Sequence, residues 1–224
     1  MLDLDGTLLP RSAGMALLEG LADAGLVAGD VPEQVHTLLQ SPDTLEPAYL
    51  AYARAIAGLP AVAVSATAGR VWAAQRRQLF PYVRSAINLL KSQDFTVVLL
   101  SGSPHEVVVH AGVDLGCDVF QGARFAVREG VYTGGVEASP WLPGAKHLPA
   151  VSRGRAHLLV LGNSANDAAL LSAACSPVAF EPSTELILLA AEAGWPVVDR
   201  SSVLTVLLRE TEVSHEGCQP CRPR

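Results

Sequence analysis

Short apolar runs bounded by turn residues recur along the second half of the chain. "FTVVLL" (Phe95 to Leu100), "HLLVLG" (His157 to Gly162), "PVAF" and a final "PVV" each read as a buried strand. Between them lie stretches with helical spacing: "YVRSAINLLKSQ", "HEVVVHAGVDLG", "NDAALLSAA" and "STELILLAAEAG". Strands of this kind separated by helices predict a parallel sheet covered on both faces. A short "DVF" strand and the ribbon "ARFAVREGVYTGGV" interrupt the alternation, with "REG" supplying a hairpin turn, and a helix is expected around Lys146.

The segment from Ser12 to Gln78 has a different pattern, rich in Ala, Leu and Glu and almost free of strand-like alternation. Breaks at "GDVPEQ", "SPDTLEP" and "GLPAVAV" divide it into three or four helices, with Asp30 and Ser41 as expected caps. The expected organisation is therefore an α/β core of residues 1–11 and 80–210, a helical cap of residues 12–79 inserted after the first strand, and a loose polar tail over 211–224. The fold class is α/β, a doubly wound parallel sheet with a Rossmann-like core.

Composition narrows the ligands. Half of the 224 residues are hydrophobic, 17% are charged, and the formal net charge is -6, which supplies no electrostatic footprint for nucleic acid or an anionic membrane. Small molecules are the expected ligands. No apolar run reaches the ~18 residues of a membrane span, and the amino-terminal stretch lacks the basic region of a secretory signal, so the expected location is cytoplasmic. Cys117 and Cys175 sit in apolar surroundings and are expected as reduced thiols, while "HEGCQPC" (His215, Cys218, Cys221) has half the spacing of a zinc site without a partner pair. The oligomeric state is left open.

The chemistry lies at the expected carboxyl ends of the strands, where an open α/β sheet binds its ligand. "LDLDGTLL" places Asp3 and Asp5 one residue apart, on one face of a strand, where like charges repel. Ser101 ends the "FTVVLL" run, Asn163, Asn166 and Asp167 end "LVLGNSAND", and Lys146 lies between them in sequence. An acid pair, a hydroxyl, an ammonium and glycine-rich turns suit phosphoryl transfer. That reaction asks for a nucleophile, donors to the phosphate oxygens and oxygen ligands for a divalent cation.

"LDLDGTLL", "VVLLSGSP", "GAK" and "LVLGNSANDAALL", in this order, resemble the four motifs of haloacid dehalogenase superfamily hydrolases, and most of all the phosphoserine-phosphatase-like branch. The resemblance spans about Met1 to Leu208. It implies a Mg²⁺-dependent phosphatase acting on a small phosphorylated metabolite through an aspartyl-phosphate. Asp3 would be the nucleophile, and Asp5 the proton carrier that also lends a backbone carbonyl to the metal. Ser101, Gly102, Lys146 and Asn166 would hold the phosphate, and Asp3, Asp5, Asn163 and Asp167 would surround the Mg²⁺.

Three departures qualify the resemblance. The metal-ligating acid that opens the fourth motif is replaced by Asn163, with Asp167 the candidate to compensate. Only Met1 and Leu2 precede the nucleophile, fewer than the five or six residues usual in a buried strand, so the expectation is a displaced start or a fragment. The acid that holds a substrate amino group nine residues after the nucleophile is Ser12 here, which disfavours phosphoserine itself. A phosphate-binding module with impaired catalysis is the alternative to an active enzyme.

Overall fold

The computed structural model of the chain describes residues 1–40, 45–140 and 157–213. In chain order the helices are α1 (Ala13–Asp23), α2 (Val31–Leu38), α3 (Leu45–Ala55), α4 (Ala61–Gln75), α5 (Val83–Ser92), α6 (His105–Leu115), α7 (Ala168–Ala173), α8 (Thr184–Ala193) and α9 (Val203–Val213). The strands are β1 (Val98–Pro104), β2 (Val119–Arg128), β3 (Val131–Ala138), β4 (Leu159–Gly162), β5 (Ser176–Phe180) and β6 (Val197–Val198).

β1 and β2 pair in parallel, as do β4, β5 and β6. The amino-terminal residues join these two groups. Leu2 bridges Leu99 on one side and Leu161 on the other, both in parallel, through Leu2 N–H to Val98 O at 2.8 Å and Asp3 N–H to Leu161 O at 3.0 Å. The chain thus runs from this central segment to β1 on one flank and β4 on the other, the strand-order reversal at which open α/β sheets bind ligands. The expected first strand is realised only as these single-residue bridges.

Side-chain alternation explains why both faces are covered. Val98, Leu100, Val160 and Ala179 face one way, onto Leu171, Leu186 and Ala190 of α7 and α8. Leu99, Leu161, Val178 and Phe180 face the other, into a larger apolar core. That core continues without a break into α1, α3 and α4 through Leu17, Tyr52 and Trp72. Arg76, just after α4, adds an ion pair to Asp114 of α6 at 2.9 Å.

The hairpin forms where "REG" predicts it. Glu129 and Gly130 have φ of 53° and 78°, and two consecutive positive φ values give the turn whose twist matches antiparallel strands. β2 is one continuous strand where "DVF" and a separate ribbon were expected, because its first half pairs with β1 and its second with β3.

Other boundaries need correction. β1 starts at Val98 rather than Phe95 and continues through Ser101 to Pro104, where a turn was expected, and β4 starts at Leu159 rather than His157. Asp30 occupies the position before α2 without accepting a capping bond from it; its carboxylate takes Gln34 Nε2 at 2.7 Å. α9 runs to Val213 with Thr211 fully buried, so Thr211 and Glu212 belong to a packed helix rather than to a loose tail beginning at 211. Cys117 is a free buried thiol, but Cys175 is disulfide-bonded, contrary to the expectation of a reduced thiol. Ser41, the helix around Lys146, and His215, Cys218 and Cys221 lie outside the described residues.

Candidate active site

The turn after the central segment sets the site's geometry. Gly6 has φ of 81°, and a Cβ there would collide with the Asn163 side chain, so only glycine allows the loop after β4 to close against this turn. Thr7 follows, fully buried. Its hydroxyl donates to Asp3 Oδ2 at 2.8 Å and lies 3.4 Å from Asn163 Oδ1, joining the two motifs. The Thr7 carbonyl in turn accepts a short hydrogen bond from the Tyr82 hydroxyl.

The two acids have different surroundings although they are one residue apart. Asp5 is held by donors on every side: Ser101 Oγ and Ser103 Oγ each donate to Oδ2 at 2.7 Å, and Ala13 N–H at the start of α1 donates to Oδ1 at 2.6 Å. Asp3 takes one side-chain hydrogen bond, from the Thr7 hydroxyl, and like Asp5 lines the cavity. Burial pushes both carboxyls above the usual range. For Asp3 the nearby charges of Asp167 and Asp5 push further, whereas for Asp5 the bonds from Ala13, Ser103 and Ser101 pull back against burial.

Asp167 is buried beneath the loop after β4. Its Oδ2 accepts Asn163 N–H at 3.0 Å, Ser164 N–H at 2.9 Å and Ser164 Oγ at 3.1 Å, fastening that loop. Burial raises this carboxyl as well, ahead of its hydrogen bonds.

The structure thus brings together Asp3, Asp5, Asn163 and Asn166 around one cavity of about 240 Å³, with Gly102 beside them. Ser101 is fully buried and committed to Asp5, accepting Ser103 N–H at 3.0 Å as well. Lys146 lies outside the described residues. Ser103, which the sequence reading passed over, lines the cavity and also accepts Gly14 N–H at 2.7 Å, tying β1 to the first turn of α1. The signal was present: Ser101 and Ser103 are two apart on one strand and share a face.

Few of these acids are free to hold a divalent cation. Among the described residues no cluster of three or more His, Cys, Asp or Glu side chains is arranged to hold a metal ion, because Asp5 and Asp167 turn their carboxylates onto hydroxyls and backbone N–H groups. What remains is an all-oxygen set, the Asp3 carboxylate and the Asn163 amide oxygen on either side of the Thr7 hydroxyl. Oxygen donors beside uncompensated buried acids fit a hard cation.

This arrangement sets an acid pair at the strand-order reversal of a doubly covered parallel sheet, where open α/β folds hold their ligands. The family model for haloacid dehalogenase-like hydrolases matches residues 1–172, and the chain belongs to that family. Among solved structures it is similar to a protein of unknown function from Bordetella pertussis Tohama I, with 22% identity and a TM-score of 0.73, covering 89% of this chain and 96% of that one. It is also similar to a substrate-bound phosphoserine phosphatase complex, with 20% identity and a TM-score of 0.68, covering 91% of this chain and 95% of that one. A phospho-aspartyl intermediate analogue of phosphoserine phosphatase aligns at 20% identity and a TM-score of 0.66, with 91% and 95% covered. At these identities the likeness establishes the fold. No curated protein matches the chain. No helix among the described residues is long and apolar enough to cross a membrane.

Proposed function

We propose that the chain is a phosphomonoester hydrolase acting on a small phosphorylated metabolite, with Asp3 as nucleophile and Asp5 as proton carrier. The observation that carries this reading is the unequal setting of two acids that both line the cavity: Asp5 is fixed by three donors, while Asp3 takes one side-chain hydrogen bond, from Thr7. A carboxylate that must reach phosphorus needs an open approach, and one that must hand over a proton needs a fixed position.

In the first half-reaction an Asp3 oxygen bonds to phosphorus as the bond to the leaving oxygen breaks, and Asp5 gives that oxygen its proton. In the second, Asp5 takes a proton from water as the water attacks phosphorus, and the bond between Asp3 and phosphorus breaks to restore the carboxylate. Asn166 and Gly102 line the cavity where the phosphoryl oxygens would sit. Ser101 contributes by holding Asp5. Lys146 keeps the phosphate-binding role that the family resemblance implies. Mg²⁺, held by Asp3, Asn163 and the Asp5 carbonyl, would neutralise charge between nucleophile and phosphate. Asp167 acts on this set from behind, by positioning Asn163.

The test is phosphate release from an aryl phosphate, with and without Mg²⁺, by wild type and Asp3→Asn. Mg²⁺-dependent release by wild type that falls to background in the variant is expected. Equal release by both, or none by wild type, overturns the reading and favours a phosphate-binding module.

A further inference from the structure

The cavity above the acids has two unlike halves. Its floor is polar, formed by the ends of the central segment, β1 and β4. Its walls come from α1, α2, α3 and the hairpin, and they present Met15, Val35, Leu45, Tyr49, Tyr52 and Phe125. Among the described lining residues the only charged side chains are Asp3 and Asp5.

The two tyrosines do not make this wall polar. The Tyr52 hydroxyl donates to Gly14 O at 3.1 Å and the Tyr49 hydroxyl to Gly102 O at 2.8 Å, so both are engaged with backbone carbonyls. Tyr52 stacks on Phe125 with centroids 5.1 Å apart and planes within 4°, and Tyr49 stands 6.5 Å from the same ring. What faces the cavity from this side is aromatic carbon. Ser12 accepts Met15 N–H at 3.2 Å as the cap of α1, which ties its hydroxyl oxygen to the helix start.

We infer that the phosphomonoester this site takes carries an uncharged, apolar organic group, about the size of a single ring, which packs against the Tyr49, Tyr52 and Phe125 wall while its phosphate lies over Asp3. This rests on the phosphatase reading and narrows its substrate class. A carboxylate on the organic group would be buried near two acids without a matching partner on the described walls, and an ammonium would find there only aromatic faces, whose cation–π attraction offsets part of the cost of leaving water. The cavity, at about 240 Å³, falls below the roughly 300–1,000 Å³ of drug-sized sites and suits a compact group.

Binding and turnover are measured separately, so that the two readings can fail separately. The full chain with Mg²⁺ is titrated calorimetrically with three phosphonates, which cannot be hydrolysed: benzylphosphonate, 2-aminoethylphosphonate and phosphonoacetate. Benzylphosphonate is expected to bind about tenfold or more tightly than either charged analogue, as burial of most of a ring against the wall would give. Phe125→Leu, with its fold checked by circular dichroism, should shrink that preference while leaving the affinity for phosphonoacetate little changed. Equal or tighter binding of a charged analogue, or a preference unmoved in Phe125→Leu, overturns the inference. Aryl phosphate turnover is read on the same preparation. Turnover together with a preference for a charged analogue overturns the apolar class alone. The expected preference without turnover sinks the phosphatase reading and leaves the ligand class standing, and no binding of any phosphonate sinks both.

Discussion

The Ser103 hydroxyl donates to Asp5 at 2.7 Å while accepting Gly14 N–H at the same distance, so one side chain on β1 fixes both the second acid and the start of α1. Removing it takes one of three donors from a half-buried carboxylate and leaves the buried Gly14 N–H unpaired. Ser103→Ala is expected to lower thermal stability by about 1–3 kcal/mol. It should also raise the Asp5 pKa further, since this bond is one of those that oppose burial. The activity limb governed by Asp5 would then move to higher pH, which a pH profile of kcat measures; a loss of rate with an unmoved profile would mean that Ser103 is only structural.

Asp3 is held in a way that favours function over stability. Burial and the charges of Asp167 and Asp5 raise its carboxyl well above the usual range, so ionising it costs the folded state. Because the folded pKa lies above the unfolded value, the group's stabilising contribution is fully present below about pH 4 and is lost as pH rises through the folded pKa. Asp3→Asn should therefore abolish turnover yet raise Tm at neutral pH without Mg²⁺, by about 2–4 °C per kcal/mol of relieved penalty. The difference from wild type should close as pH falls towards 4. Thermal melts of the two proteins across that range check both the sign and the window.

Asn163 offers a neutral oxygen where the family pattern has an acid, and it sits against Gly6 with the Thr7 hydroxyl 3.4 Å away. Asn163→Asp adds a negative charge beside Asp3. With Mg²⁺ present the extra charge should raise metal affinity by about tenfold or more, on the scale seen when ligand surroundings are altered. Without Mg²⁺ the same change should lower Tm, because like charges are then buried together. A Mg²⁺ titration of activity, paired with melts in chelator, reads both effects; an unchanged Mg²⁺ dependence counts against Asn163 as a ligand.

Much of this site could be read from the chain, and the reasons are local. β4 and β5 were legible because their apolar runs are short, continuous and bounded by turn residues. The end of β1 was not, since Ser101, Gly102 and Ser103 read as a turn while the structure uses them as a strand that carries hydroxyls to Asp5. α9 was missed because "RETE" looks like a solvated tail, although Thr211 packs inward. Asp3, Asp5 and Asn163 announced themselves by being polar at strand ends. The apolar wall did not, because Tyr49, Tyr52 and Phe125 meet only once α3 and β2 are folded together. Residue spacing records what shares one face of one element, and a cavity made by several elements leaves little trace in it.

The hairpin that carries Phe125 is itself anchored by a hydrogen-bonded pair, the buried Tyr132 on β3 and the half-buried Glu106 on α6. The Tyr132 hydroxyl donates to Glu106 Oε1 at 2.6 Å, and Glu106 Oε2 is buried with no hydrogen-bond partner among the described residues. Tyr132→Phe would strip the carboxyl of this donor while preserving the ring, so the loss isolates the hydrogen bond. A bond to a carboxylate contributes about 1.5–3 kcal/mol, and Tyr132→Phe should destabilise the protein by that amount in urea melts. Since β3 pairs with the Phe125 stretch of β2, the same variant should weaken binding of an apolar phosphonate more than of inorganic phosphate. Equal weakening of both, or none, would show that the hairpin's position does not govern the wall.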